Sequence, residues 1–136
     1  MPDNRKELIK YRLESARERL NSAEVLLMSK SYKDSIGRSY YAMFTAVRAL
    51  LAKDGVDYSK HAGVISYFQR EYIKTQKFEK KYSKYLSQAF QIRNNTDYAD
   101  FFVVSFEDAH EQADRAKEFL TAIEEFLKVK DIGENK

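Results

Sequence analysis

The stretch "IGRSYYAMFTAVRALL", residues 36–51, decides the fold, because its apolar side chains recur at alternating steps of four and three. That spacing keeps side chains on one face of a helix and predicts an amphipathic α-helix with a buried stripe. Three other segments carry stripes of the same kind. In chain order the four stripes are Ile9, Leu13, Ala16, Leu20, Ala23 and Leu27; Ile36, Tyr40, Met43, Val47 and Leu50; Phe78, Tyr82, Tyr85, Ala89 and Ile92; and Ala109, Ala113, Ala116, Leu120, Ile123 and Leu127.

The stripes predict four long helices, with one short helix between the second and third of them. Short connections favour antiparallel neighbours, so the expected fold is all-α, an antiparallel up-and-down helical bundle. We expect a single domain over residues 1–130 and a disordered C-terminal tail at residues 131–136. The expected helix bounds lie near residues 4–28, 32–53, 60–73, 77–95 and 106–129.

Local signals support these boundaries. Ser31 with Asp34, and Ser105 with Asp108, have the Ser-x-x-acid form of a capping box at a helix start. Gly55 follows the second stripe and is expected to end that helix.

Composition excludes several classes of function. The chain has no cysteine, its four glycines are too scattered for a phosphate-binding loop, and no G-x-S-x-G occurs. Glu107 and His110 have the Glu-x-x-His spacing of di-iron bundles, but the second such pair is missing, so we expect no metal and no bound cofactor. The start "MPDNRKELIK" has no apolar signal segment and no stretch is long enough to span a membrane, so we expect a cytoplasmic protein without membrane contact.

Charge changes sign along the chain. Residues 56–96 carry 8 basic and 3 acidic side chains, whereas residues 97–136 carry 5 basic and 11 acidic ones. The basic segment is rich in aromatic residues and could attract a phosphate backbone. It could equally face the acidic last helix within the bundle. The sequence leaves both interpretations open.

The change of sign falls within "IRNNTDYAD", residues 92–100, a polar cluster at the expected end of a helix. Arg93 follows the last stripe position, and its planar guanidinium could hold a phosphate by two hydrogen bonds. Asn94 could donate a hydrogen bond to the same ligand, and Asp97 could orient Arg93 or accept a proton. The alternative is a helix cap, in which Arg93 complements the helix dipole and asparagine adopts the left-handed conformation.

Three segments together resemble the HEPN domain (higher eukaryotes and prokaryotes nucleotide-binding), in its small stand-alone prokaryotic branch whose motif ends in Asp-Tyr. They are "RSYYAMFTAVRALL" (38–51), "KHAGVISYFQREYIKT" (60–75) and "IRNNTDYAD" (92–100), and the likeness extends to about Phe126. The resemblance implies a helical bundle that forms a homodimer, with the polar motifs of both subunits facing one cleft. It also implies an RNA or nucleotide ligand. Many members are metal-independent endoribonucleases, and several are toxins paired with a minimal nucleotidyltransferase.

The resemblance assigns residues one by one. Arg93 matches the family arginine that stabilises phosphate charge. The family histidine stands four to six residues later, where this chain has Tyr98, a phenol that is a poor base at neutral pH. The implied catalytic set is therefore Arg93, Asp97 and Tyr98, and the implied ligand-binding set is Arg93, Asn94, Tyr98, Arg38 and His61. The alternative function is a noncatalytic helical module for interaction or dimerisation.

Overall fold

The computed structural model describes residues 4–134, with side chains described as far as Lys128. Within this range the chain is helical and contains no β-strand, as the stripes predict. A short helix continues directly into one turn of π-helix (Gln69–Ile73). The helices are α1 (Asn4–Met28), α2 (Tyr32–Asp54), α3 (His61–Phe68), α4 (Lys80–Tyr98) and α5 (Phe106–Glu134).

Helix α2 lies at the centre of the bundle and packs against all four of the other helices, most extensively against α1 and α5. Its stripe residues Ile36, Tyr40, Met43, Val47 and Leu50 are all buried, which confirms the predicted helix face. The stripes of α1 and α5 supply much of the remaining core. The predicted all-α bundle of four long helices and one short helix is therefore the observed fold.

Helix α4 is shifted toward the C-terminus relative to the prediction, since it begins at Lys80 and ends at Tyr98. The start is delayed because Gln76 adopts a left-handed conformation (φ 63°) and the Phe78 N–H donates to the Tyr72 carbonyl at 3.0 Å. The helix therefore continues past Asn94 and Asn95 and ends at Tyr98, near the end of the polar motif. Asparagine therefore does not form a left-handed cap, and the cap interpretation of the motif is wrong in this respect.

The predicted capping signals have mixed outcomes. At the start of α5, the Ser105 N–H donates to Asp108 Oδ2 at 3.3 Å and the Asp108 N–H donates to Ser105 Oγ at 3.0 Å, which confirms that capping box. Ser31 precedes α2 but makes no side-chain cap hydrogen bond, so that prediction is wrong. Its ψ of 71° lies outside the extended region in which a capping hydroxyl reaches the first turn. Gly55 ends α2 in the left-handed conformation (φ 74°), as expected.

Part of the basic segment does face the acidic last helix. Lys81 on α4 forms an ion pair with Glu118 on α5. The Tyr85 hydroxyl donates to the same carboxylate at 3.0 Å, and Arg115 Nη1 donates to Gln88 Oε1 at 2.7 Å. The interpretation in which the basic segment faces the acidic last helix is thus confirmed for Lys81.

The connection between α4 and α5 covers one end of the bundle with alternate side chains. Phe102 and Val104 pack on a small cluster around Leu27 and Ile36. Phe101 and Val103, which alternate with them in the sequence, point outward and are 97% and 84% exposed. This alternation leaves an apolar surface next to the end of α4.

Two predictions about the ends of the chain stay predictions. They are the domain bounds and the disordered tail expected at residues 131–136. Both concern the end of the chain, where side chains are not described beyond Lys128 and the last residues lie outside the described range. Across the helices that are described, none combines the length and the apolar character needed to cross a membrane.

Candidate functional site

A groove of about 550 Å³ lies between α1, α2 and the end of α4, and we call it the Arg93 groove. Basic side chains outnumber acidic ones along its described walls, so it favours an anion. An aromatic ring and small or apolar residues form the remaining surface. The lining residues are Arg19, Leu26, Lys33, Asp34, Gly37, Arg38, Tyr41, Arg93 and Asp97.

Arg93 is held in a defined position by two contacts. Its guanidinium carbon lies 5.2 Å from the centre of the Tyr41 ring, within the range of a cation–π interaction. Its Nε lies 3.0 Å from Asp97 Oδ2, an ion pair between residues one helical turn apart. Among the described residues, neither Nη1 nor Nη2 of Arg93 has a hydrogen-bond acceptor. The outer edge of the guanidinium can therefore hold a ligand.

Arg38 joins the same groove from α2. It is exposed and lies three residues before Tyr41, so the two side chains share one face of that helix. The structure thus brings together three of the predicted site residues, Arg38, Arg93 and Asp97.

Tyr98 and Asn94 are placed differently. Tyr98 is 78% exposed and does not line the groove. Five residues of α-helix rotate the side-chain direction by about 140°, so Tyr98 leaves α4 on another side than Arg93. Asn94 is half-buried on the helix side next to Arg93 and is likewise absent from the groove wall.

His61 lies beside the groove at the start of α3, in an aromatic setting. Its Nδ1 is 2.8 Å from the buried Tyr40 hydroxyl, and its ring stacks on Phe44 with centroids 4.2 Å apart. Burial, followed by the positive charges of Arg93 and Arg48, lowers the pKa of His61 from its usual 6.5. His61 is therefore predominantly neutral at pH 7.

Sequence reasoning missed Tyr41, Arg19 and Lys33 as groove residues. Tyr41 and Arg38 have a helical i, i+3 spacing, which is a signal that could have paired them. Arg19 reaches the groove only because α1 packs on α2, and no local pattern in α1 reveals this contact.

The di-iron spacing carries no metal site in the described part of the chain. His110 Nδ1 lies 3.5 Å from Asp114 Oδ2, and its ring stacks on Phe106 at 5.5 Å. Among the described residues no group of three or more metal-ligating side chains comes together.

The architecture and the site define a class of protein: an all-α bundle with a cationic groove that centres on an arginine near the end of α4. A comparison with protein families agrees, since the HEPN domain matches residues 9–126. The chain belongs to the HEPN family.

Relatives match nearly the whole chain. A UPF0332 protein of Thermotoga maritima is 34% identical over 125 residues, covering 92% of this chain and 95% of the relative. Two proteins of Methanocaldococcus jannaschii, each named as a putative toxin, are also similar. One is 32% identical over 90% of this chain and 85% of its own length, and the other is 33% identical over 68% and 69%.

Proposed function

We propose that this protein binds single-stranded RNA through the Arg93 groove, with Arg93 as the phosphate anchor. The observation that carries the proposal is that only one side of the Arg93 guanidinium is paired within the described part of the chain. Asp97 takes the Nε side, and the two Nη groups have no acceptor among the described residues. A planar pair of N–H donors fits two phosphate oxygens, which is the strong form of arginine–phosphate contact.

The surroundings of Arg93 support a polyanionic ligand over a small neutral one. Arg19, Lys33 and Arg38 line the same groove, and each adds attraction for a phosphate backbone. The groove is open at the surface, so an extended strand can enter without displacing core residues. Binding should therefore weaken steeply as salt concentration rises.

Binding is better supported than cleavage at this groove. Tyr98, which replaces the family histidine, lies away from the wall and is 78% exposed. A phenol is also a weak general base at neutral pH. Metal-independent endoribonuclease activity, with Arg93, Asp97 and Tyr98 as the catalytic set, is a separate hypothesis. It requires chelator-resistant cleavage that leaves 2′,3′-cyclic phosphate ends.

The test of RNA binding compares two arginines in similar settings. Arg115 on α5 also lies over a ring, 4.8 Å from the Tyr85 centroid, and is 23% exposed against 21% for Arg93, but it lies outside the groove. In a fluorescence anisotropy titration with labelled single-stranded RNA, we expect Arg93→Ala to weaken binding at least about tenfold, the loss of a charge-assisted contact. Arg115→Ala should change it by less than about twofold. Equal losses in the two variants would show that net charge alone attracts the RNA.

The names of two relatives support a toxin-like role. We propose that the partner protein in this role is a minimal nucleotidyltransferase, as the resemblance to the HEPN domain implies. Co-purification of the two proteins from one host would test the pairing. An Arg93→Ala variant shows whether the partner covers the groove. If the partner competes with RNA for the wild-type protein, it covers the groove. If the Arg93→Ala variant still retains the partner, that contact does not depend on Arg93.

A second function, dimerisation, is favoured by a different observation. Tyr98, Phe101 and Val103 are exposed apolar side chains next to the end of α4, and we call them the α4-end patch. Such a patch is typical of a protein interface. We propose that it joins two copies of the chain and brings their grooves near each other. Analytical ultracentrifugation should show a wild-type dimer and a Phe101→Asp monomer with unchanged helix content. A monomeric wild type would refute this assembly.

A further inference from the structure

Beyond the Arg93 groove, the same face of α2 continues to a second cationic cluster. Tyr41, Phe44 and Arg48 follow one another at steps of three and four, so they share this face. Arg93 lies over Tyr41 and His61 stacks on Phe44. The axial distance from Tyr41 to Arg48 along the helix is about 10 Å. Aromatic and cationic groups therefore form a continuous track.

The cluster at Arg48 carries excess positive charge. Arg48 Nη2 and Arg12 Nη2 share one carboxylate, Asp57 Oδ2, at 3.0 Å and 3.5 Å. Two guanidinium groups against one carboxylate leave a net charge of about +1. Burial, followed by the neighbouring Arg48 charge, lowers the pKa of Arg12, so the two cations repel. Arg48 Nε is buried and has no hydrogen-bond partner within the described part of the chain. An added anion would relieve this repulsion.

His61 stands between this cluster and Arg93, at the first residue of α3. No side chain caps that end of the helix, so its N–H groups favour a nearby anion. Nδ1 of the neutral ring is expected to accept a hydrogen bond from the buried Tyr40 hydroxyl. The tautomer that results has its proton on Nε2, which makes Nε2 a hydrogen-bond donor. A neutral donor beside two guanidinium groups is suited to a phosphate oxygen.

We propose that His61 and Arg48 form a second phosphate subsite, which takes the phosphate next along an RNA strand whose first phosphate lies on Arg93, and that His61 gains a proton when this phosphate binds. This inference rests on the proposed RNA binding. The proton comes from solvent and enters at Nδ1, so the Tyr40 oxygen changes from donor to acceptor. Nε2–H then donates to the phosphate as part of a cation, a stronger bond than the neutral one.

The direction of the proton linkage follows from the charges around His61. In the free protein burial, followed by the charges of Arg93 and Arg48, holds the pKa of His61 below 6.5. A bound phosphate offsets both cations and raises that pKa. Burial raises the pKa of Tyr40 far above the neutral range, and Asp57 has a lowered pKa, so neither titrates between pH 6 and 8. Tyr41, whose ring centre lies 5.8 Å from that of His61, and Lys60, the preceding residue, also neighbour His61.

The decisive experiment follows the histidine ring signals by NMR, because the chain has only two histidines. The pKa of His61 is measured in free protein and in protein saturated with oligouridylate, whose internal phosphodiesters do not titrate here. We expect the His61 pKa to rise by about one unit on binding, a tenfold tighter complex for the protonated form. His110 lies on α5 beside Asp114, outside this subsite, and its ring signals are the internal control.

A second comparison uses two ligands, UpU with one phosphodiester and UpUpU with two. His61→Gln keeps a neutral donor but cannot be protonated. We expect this variant to lose most of the advantage in affinity that UpUpU has over UpU at pH 6. Arg93→Ala should weaken both ligands.

The outcomes separate the two proposals. An unshifted His61 pKa in protein that binds RNA through Arg93 would overturn the second subsite and leave RNA binding intact. RNA binding that does not depend on Arg93, or no RNA binding, would overturn the proposed function and this inference with it.

Discussion

Asp97 offers a test in which the sign of the effect is informative. Asp97→Asn removes a negative charge from the Arg93 groove, while the amide oxygen can keep a polar contact with Arg93 Nε, which lies 3.0 Å from Asp97 Oδ2 in the wild type. The orientation of Arg93 is therefore preserved. If Asp97 serves only to orient Arg93, the substitution should tighten RNA binding.

The size of the effect follows from Coulomb's law. A phosphate on the outer edge of the guanidinium would lie about 7 Å from the Asp97 carboxylate, on the opposite side of the planar group. The side chain of Asp97 is 43% exposed, so a water-like dielectric applies. The repulsion is then about 0.6 kcal/mol, which corresponds to about threefold in affinity. Asp97→Ala removes the same charge but also frees Arg93, and ordering that side chain again costs about 0.5–1.5 kcal/mol.

The assay is anisotropy titration of labelled single-stranded RNA at low and high salt. We expect Asp97→Asn to bind RNA more tightly than the wild type, and Asp97→Ala to bind RNA less tightly than Asp97→Asn. The advantage of Asp97→Asn should shrink at high salt because exposed charges are screened. An Asp97→Asn protein that binds RNA as weakly as Arg93→Ala would refute the orienting role. Tighter binding together with lost cleavage would instead identify Asp97 as a proton acceptor.

Three further predictions concern stability. Gly37→Ala should stabilise the protein by about 0.5–1 kcal/mol in urea unfolding, because Gly37 is helical and an added Cβ meets nothing within 4 Å; a loss of stability would contradict this. Gly55→Ala should destabilise it in the same assay, by about 1 kcal/mol or more, because φ at Gly55 is 74°. Burial opposes ionisation of Asp54, but hydrogen bonds from Tyr72, Lys53 and Tyr67 outweigh it and lower its pKa below the ordinary 3.8. The folded-state pKa is thus below the unfolded one, so this contribution is complete above pH 3.8 and is lost as pH falls through the folded value; Asp54→Asn should flatten that acid limb of stability against pH.

The sequence predicted most of the fold because the helices bury regular stripes. The start of α4 was harder, since it depends on a π-helical turn and on the left-handed Gln76, and neither has a sequence signal in this segment. The two Ser-x-x-Asp patterns show a related limit. Only Ser105 completes a capping box, whereas Ser31 has a ψ of 71° and makes no side-chain cap hydrogen bond.

The site was predictable only where it is local. Arg93 and Asp97 lie one helical turn apart, and their ion pair follows from that spacing. The contact of Arg93 with Tyr41 joins α4 to α2, and the contact of His61 with Phe44 joins α3 to α2. These long-range contacts depend on how the helices pack, which a single sequence does not show. Tyr98 shows the opposite case, in which motif spacing groups a residue with Arg93 that the helix directs elsewhere.

The two neighbouring tyrosines of α2 connect the core to the proposed RNA track. Tyr40 is fully buried and holds His61 through its hydroxyl, while Tyr41 is half-buried and carries the guanidinium of Arg93. Each ligand-facing side chain therefore rests on a residue that the bundle fixes. Side chains held in this way lose little conformational entropy on binding, so the site is preorganised. Burial and the charges of Arg93 and Arg48 also favour the neutral form of His61 in the free protein. A bound phosphate pair would offset those two charges and let the ring take up a proton.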